Sequence, residues 1–187
     1  MTLTVLDHPL AGDLLARLRD RRTDPAAFRQ LTRRIGWLLV IEATKDLAIE
    51  PIRVETPLEE TDGVRLAERL VAIPVLRAGL GLLDAATDLY PDTVVGYLGL
   101  ERDERTLEPR DYYAKLPPME GRRALLLDPM LATGGSGTAA VAHVKAMANP
   151  RSISFACVVA APEGVAKMEA EHPDVPIVTG ALDRQLN

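Results

Sequence analysis

A single cysteine, Cys157, stands in the 187 residues, so no disulfide framework can form within the chain. It lies inside the apolar run ISFACVVAA, where a small buried hydrophobe is expected rather than a nucleophile. Histidine is scarce as well: His8, His143 and His172 stand apart from one another and from Cys157, which argues against a structural zinc site. Basic residues are in deficit, 22 against 27 acidic ones, and the formal net charge is −5. A protein whose main task is to hold nucleic acid needs the opposite balance. Also missing are a signal peptide, an apolar run of membrane-spanning length, an internal repeat and a low-complexity linker. The expectation is a cytoplasmic protein with neither a nucleic-acid nor a membrane partner, residues 1–187 forming one domain.

Two familiar phosphate motifs are absent too. A P-loop requires Gly-Lys-Ser/Thr, and none of Gly134, Gly135 and Gly137 precedes a lysine. Gly79 and Gly81 give the first half of a dinucleotide fingerprint, but Asp84 stands where its third small residue belongs.

What is present is RALLLDPMLATGGSGT, residues 123–138. Leu125, Leu126 and Leu127 form an apolar run that stops at Asp128 and Pro129, as a buried parallel strand does on leaving its sheet. Thr133, Gly134, Gly135 and Ser136 then lead into an alanine-rich segment, 138–148, of helical composition. Glycines at a helix start allow close backbone approach to a ligand, and the first-turn N–H groups point out at the positive end of the dipole. Thr133, Ser136 and Thr138 add hydroxyls, and Asp128 at the strand end can accept from two neighbouring hydroxyls such as those of a ribose. Acid, hydroxyls and glycines at this spacing favour a phosphoribosyl-binding loop over a turn that only closes the chain.

The surrounding pattern suits such a loop. Pro9, Leu10, Leu14, Leu15 and Leu18 predict one helix; Asp24 as cap, Pro25 at the first position and Phe28, Leu31, Ile35, Leu38 and Leu39 on one face predict a second. That second helix is expected both to cover the core and to meet a partner chain. Alternation through Ile52, Val54, Thr56 and Leu58, a turn at Asp62 and Gly63, and then Val64 and Leu66 predict an exposed hairpin. From Leu70 onward strands are expected at 70–75, 94–100, 153–160 and 177–182, besides the leucine run, with helices at 80–89 and 163–171. Such alternation implies a mainly parallel α/β sheet with ligands at the carboxyl ends of its strands. Arg77, in PVLRAGLG, falls on that rim, where a guanidinium suits a pyrophosphate. Residues 101–118, ERDERTLEPRDYYAKLPP, form the longest polar interruption of the α/β region.

Residues 123–138 resemble the binding loop for 5-phosphoribosyl 1-pyrophosphate (PRPP) in type I phosphoribosyltransferases, and the form DPMLATGGS resembles the uracil phosphoribosyltransferase family. LRAG, the 101–118 segment, AAPEG at 160–164 and the closing DRQLN are similar to that family as well. The resemblance implies a mainly parallel sheet flanked by helices, an N-terminal helical arm and hairpin over about residues 1–69, a core over about 70–187, and a flexible hairpin lid over about 101–118. It implies conversion of uracil and PRPP to UMP and diphosphate, with Mg²⁺ carried mainly by PRPP. On that reading PRPP is held by Asp128, Pro129, Met130, Leu131, Ala132, Thr133, Gly134, Gly135 and Ser136, with Arg77 and Arg102 at the pyrophosphate and Asp128 and Arg77 catalytic. Tyr112 and Tyr113 are expected to pack the lid's base, and Lys115 to be a surface charge. A homodimer or higher homo-oligomer, with GTP as an effector in some relatives, belongs to the same resemblance. Family members continue beyond the position of Asn187 into a segment that recognises uracil, so the uracil-binding residues are expected to lie outside this sequence. Two alternatives remain open at this point: a non-catalytic phosphoribosyl-binding regulator, including one linked to RNA, and a transferase for another base.

Overall fold

The computed structural model describes residues 2–102 and 109–185; the side chains of residues 101, 102 and 109–111 lie outside that description. In chain order the elements are β1 (Leu3–Val5), α1 (Pro9–Arg19), α2 (Pro25–Ala43), β2 (Ile49–Glu55), β3 (Glu60–Leu66), β4 (Leu70–Leu76), α3 (Leu80–Leu89), β5 (Val94–Val95) and β6 (Tyr97–Arg102). They continue with β7 (Pro109–Lys115), β8 (Arg123–Leu127), β9 (Met130–Leu131), α4 (Gly135–Ala148), β10 (Ser152–Ala160), α5 (Pro162–Glu171) and β11 (Ile177–Leu182).

The main sheet runs β1-β11-β10-β8-β4-β6-β7, with β5 against β4 and β9 against β10. Its pairings are parallel except that of β6 with β7. The leucine run on β8 shows why such strands are apolar throughout. Successive side chains point to opposite faces, so both faces must be covered. Leu126 joins a buried cluster with Ile73, Phe155, Val141, Val144 and Met168, beneath α4 and α5. Leu125 and Leu127 join another with Leu31, Ile35, Leu39 and Leu82, beneath α2 and α3. Burying a leucine contributes about 1.5–3 kcal/mol, so each of these side chains holds β8 at the centre of the sheet.

Helix starts follow the sequence closely. Asp24 accepts from the Ala26 and Ala27 amides at 2.8 and 2.9 Å, and Pro25 opens α2, where no partner for its missing N–H is needed. His8 caps α1 through Nδ1, which accepts from the Leu10 amide at 3.0 Å. α2 buries Leu31, Ile35, Leu39 and Val40 in the chain's own core, while Phe28, Trp37 and Ile41 stay exposed on its outer side. Among the described residues no helix is long and apolar enough to cross a membrane.

Three expectations need correction, and two short strands carry no sequence signal. The hairpin turns at residues 56–59, and Asp62 and Gly63 lie within β3 opposite Arg53 and Ile52. The Thr56 hydroxyl decides this, accepting from the Leu58 and Glu59 amides while donating to the Glu59 carbonyl, an arrangement that closes the turn around Pro57. The strand expected at 94–100 is split at Gly96, so that β4 pairs first with β5 and then with β6. α4 begins at Gly135, ahead of Thr138, because glycine at 134 takes the left-handed turn into it. The unsignalled strands are β1 and β9; their three and two residues are too few to carry a pattern, and they pair in parallel with β11 and β10.

At the amino ends of the central strands, away from the rim where β4 and β8 exit, Glu68 is buried between two arginines. Its carboxylate meets Arg151 at 3.1 Å and Arg123 at 3.5 Å and accepts from the Ala48 amide at 3.1 Å. Arg123 also pairs with Asp46, whose carboxyl is held below its usual range by that hydrogen bond.

Candidate active site

β8 and β4 are neighbours at the centre of the sheet, with Leu127 in register with Pro74. The chain leaves β8 at Asp128 and β4 at Arg77, so topology brings an acid and a guanidinium to the same rim from positions 51 residues apart in sequence. Parallel strands open such a crevice at their carboxyl ends.

Asp128 is half-buried. Its amide donates to the Ala156 carbonyl at 3.2 Å, and one carboxylate oxygen accepts from the Met130 amide at 3.4 Å. Burial pushes its carboxyl up to about 6, against the opposing pull of that amide. Donors or a cation brought by a substrate would stabilise the ionised form against that burial.

Beyond Asp128 the chain is tied down on the side away from the crevice. The Pro129 carbonyl accepts from the Val158 and Val159 amides at 3.0 and 3.1 Å, and the Leu131 carbonyl accepts from the Ala161 amide at 2.9 Å. Leu131 points its side chain into the core, whereas Met130 is exposed. Gly134 then adopts φ +81°, a left-handed conformation open to glycine, and as the N-cap of α4 it has no side chain to offer the first turn. Thr133 is exposed and Ser136 half-buried beside these amides. The Thr138 hydroxyl does not join them: it is buried and donates to the Gly135 carbonyl at 3.3 Å, while the Thr138 carbonyl lies 2.9 Å from His172 Nε2.

Arg77 is exposed on the turn after β4, and the Leu76–Arg77 peptide is cis. The turn is closed by the Gly79 amide, which donates to the Val75 carbonyl at 2.8 Å. A Cβ on Gly79 would lie 2.2 Å from the Leu127 carbonyl oxygen, so only glycine lets this turn pass so close to β8. Beside Arg77 is a cavity of about 480 Å³, lined by Leu76, Arg77, Leu100 and Tyr112. The Tyr112 ring lies on Gly99 of β6, where a Cβ would come within 2.6 Å of it. It thus packs the base of the β6–β7 hairpin, as expected, and also walls the crevice, which the sequence did not reveal. Lys115 is exposed. Arg102 ends β6, but its side chain lies outside the described residues, as do residues 103–108 and Asn187.

No group of three or more His, Cys, Asp or Glu is placed to hold a metal ion among the described residues. One carboxylate and a few hydroxyls suit a magnesium ion that keeps its waters and takes its remaining ligands from a substrate. Cys157 is buried, and burial pushes its thiol up to about 12, so it is no nucleophile.

The profile of the uracil phosphoribosyltransferase family matches residues 5–187. The uracil phosphoribosyltransferase of Malacoplasma penetrans is 45% identical, the match covering 98% of this chain and 89% of the relative. That of Paracoccus denitrificans is 47% identical over 99% of this chain and 88% of its own length. Among solved structures, the AQ2163 protein of Aquifex aeolicus superposes with a TM-score of 0.92 at 36% identity, covering 100% of this chain and 89% of that one.

Proposed function

This chain belongs to the uracil phosphoribosyltransferase family, and from that premise we propose how its residues divide the work of transferring a phosphoribosyl group. The reaction joins uracil to PRPP, giving UMP and diphosphate. A ring nitrogen of uracil attacks the anomeric carbon as the pyrophosphate departs, and positive charge develops on the ribose in between. Catalysis therefore calls for alignment and for groups that complement that charge, with proton transfer secondary.

Residues Thr133 to Ser136 and the first-turn amides of α4 hold the 5′-phosphate, as Gly134's left-handed turn into the helix start favours. Asp128 accepts from the two ribose hydroxyls, and its negative charge faces the cationic ribose of the transition state. Arg77 grips the pyrophosphate, with Arg102 joining it from the end of β6. Pro129, Met130, Leu131 and Ala132 serve through their backbone, which keeps Asp128 and the phosphate loop at a set separation. Mg²⁺, when bound with PRPP, neutralises pyrophosphate charge. Residues 1–187 belong to one phosphoribosyltransferase domain, with 101–118 as lid, and the exposed Phe28, Trp37 and Ile41 on α2 favour a homo-oligomer.

The observation that carries this reading is the emergence of Asp128 and Arg77 from adjacent central strands beside a glycine-turned helix start. The test is UMP formation from labelled uracil and PRPP with Mg²⁺, alongside direct titration of PRPP. Turnover that is abolished in Asp128→Ala, and PRPP binding that is weakened in Arg77→Ala, are expected. Near-normal turnover in the first, or unchanged affinity for PRPP and diphosphate in the second, would remove the corresponding role.

A further inference from the structure

α5 begins directly behind the phosphate loop, and the contact between them involves main chain on both sides. The Ala161 amide donates to the Leu131 carbonyl at 2.9 Å. Three residues on, Gly164 sits so close to the loop that a Cβ there would lie 2.5 Å from the Ala132 carbonyl oxygen and 2.6 Å from the Leu131 carbonyl oxygen. The approach is mutual, for a Cβ on Gly134 would lie 3.0 Å from the Gly164 carbonyl oxygen and 3.1 Å from the Lys167 Cβ. One turn further along, Met168 is buried and packs towards Gly137 in the first turn of α4.

Gly164 has an ordinary helical setting and no positive φ, so its identity is not demanded by its own backbone. What demands it is the loop it touches. Backbone oxygens cannot swing aside as a side chain can, so any larger residue must push residues 131–132 away from α5 and towards the crevice. Gly134, two residues further on, would move with them.

We infer that Gly164 is a positioning residue for PRPP binding: the first turn of α5 is the fixed platform that sets the height of the 5′-phosphate loop above the sheet. This rests on the reading that residues Thr133 to Ser136 hold the 5′-phosphate. Because Arg77 stands on the turn after β4 and not on the phosphate loop or α5, the platform governs the phosphate end of PRPP and leaves the pyrophosphate end untouched.

The experiment measures affinity of the full chain for ribose 5-phosphate and, separately, for diphosphate by calorimetry, in the parent, Gly164→Ala, Ser136→Ala and Met168→Ala. Misplacing a positioning group by about 1 Å can cost on the order of 100-fold, so Gly164→Ala should weaken ribose 5-phosphate at least about tenfold and leave diphosphate within about twofold. Ser136→Ala, in the loop itself, should weaken ribose 5-phosphate too. Met168→Ala leaves a void without pushing the loop, and should lower the melting temperature while keeping ribose 5-phosphate affinity. A second measurement needs no variant: on saturating the parent protein with ribose 5-phosphate, amide exchange should slow at residues 164–168 as well as at 133–138, whereas diphosphate should leave 164–168 unchanged. If Ser136→Ala loses ribose 5-phosphate but Gly164→Ala does not, the platform idea is overturned and the loop assignment stands. Equal losses for both ligands in Gly164→Ala, or unaltered exchange at 164–168, overturn it as well. If Ser136→Ala has no effect, the loop assignment and the inference fall together.

Discussion

Asp128 carries a conflict between stability and function that Asp128→Asn should expose. Its carboxyl sits at about 6 rather than the ordinary 3.8, because burial opposes the charge. Two units at about 1.4 kcal/mol each would make the ionised form about 3 kcal/mol worse in the folded chain than in the unfolded one. The residue is only half-buried, so solvent screening reduces this to about 1–2 kcal/mol. The sign follows from the raised value. The stability linked to this group is fully present below pH 4, and it is lost as pH rises through 6. A carboxamide in its place carries no charge, so the variant should be more stable than the parent at pH 8 by about 1–2 kcal/mol, a rise of about 2–8 °C in melting temperature for a chain of this size. That advantage should vanish near pH 4. Catalysis should move the other way. An amide cannot accept from two ribose hydroxyls with full charge, and losing two charge-assisted hydrogen bonds at about 1.5–3 kcal/mol each corresponds to a fall in kcat/KM of about 10²–10⁴. In the parent, kcat/KM for PRPP should rise with pH through about 6, since that ratio reports ionisation of the free enzyme, and the limb should disappear in the variant. Thermal unfolding from pH 4 to 8 and initial rates of UMP formation over pH 5 to 8 measure both. A variant no more stable at pH 8 than the parent, or one within a few-fold of parental kcat/KM, would refute the argument.

Arg77→Ala should raise the KM for PRPP and weaken diphosphate as a product inhibitor by about one to two orders of magnitude if the proposed bidentate guanidinium contact is lost, with little change in melting temperature because the residue is exposed. Steady-state kinetics with diphosphate inhibition checks this, and unaltered inhibition would speak against the role. Glu68→Ala should act in the opposite manner, costing about 1–3 kcal/mol of stability by leaving the Ala48 amide without its acceptor, since Arg123 keeps Asp46, while KM for both substrates stays unchanged at temperatures where the protein is folded. Denaturant titration beside initial rates separates the two effects. Cys157 should resist iodoacetamide at pH 8 in the native protein and react once guanidinium unfolds it, because its thiol is buried and pushed up to about 12. Rapid native alkylation, read by mass spectrometry, would contradict that.

Much of this protein is legible in its residues. Leu125 to Leu127 announce a strand buried on both faces, Asp128 and Pro129 announce its end, and two glycines after Thr133 announce a helix start with room for an anion. These are local properties: side-chain alternation, turn chemistry and the steric freedom of glycine act between neighbours in the chain. Asp24 with Pro25 marks the start of α2 for the same reason. DPMLATGGS and LRAG, the stretches that resemble the family, are likewise short and local.

Other features belong to the tertiary structure alone. That Asp128 and Arg77 reach one rim of the sheet follows from β8 lying beside β4, a choice of strand order that no local window contains. Thr138 has the composition of a ligand-binding position, yet helical geometry turns its hydroxyl inward to the Gly135 carbonyl. Tyr112 becomes a wall beside Arg77 only because the bulge between Gly99 and Leu100 lays its ring across a glycine. Gly164 looks in sequence like part of an ordinary helix start, and its significance appears only when the carbonyls of Leu131 and Ala132 are found against it. Sequence neighbours thus determined which segments could bind a phosphate and a ribose. Long-range packing decided where those segments meet, because the distances that matter there are set by contacts between parts of the chain far apart in sequence.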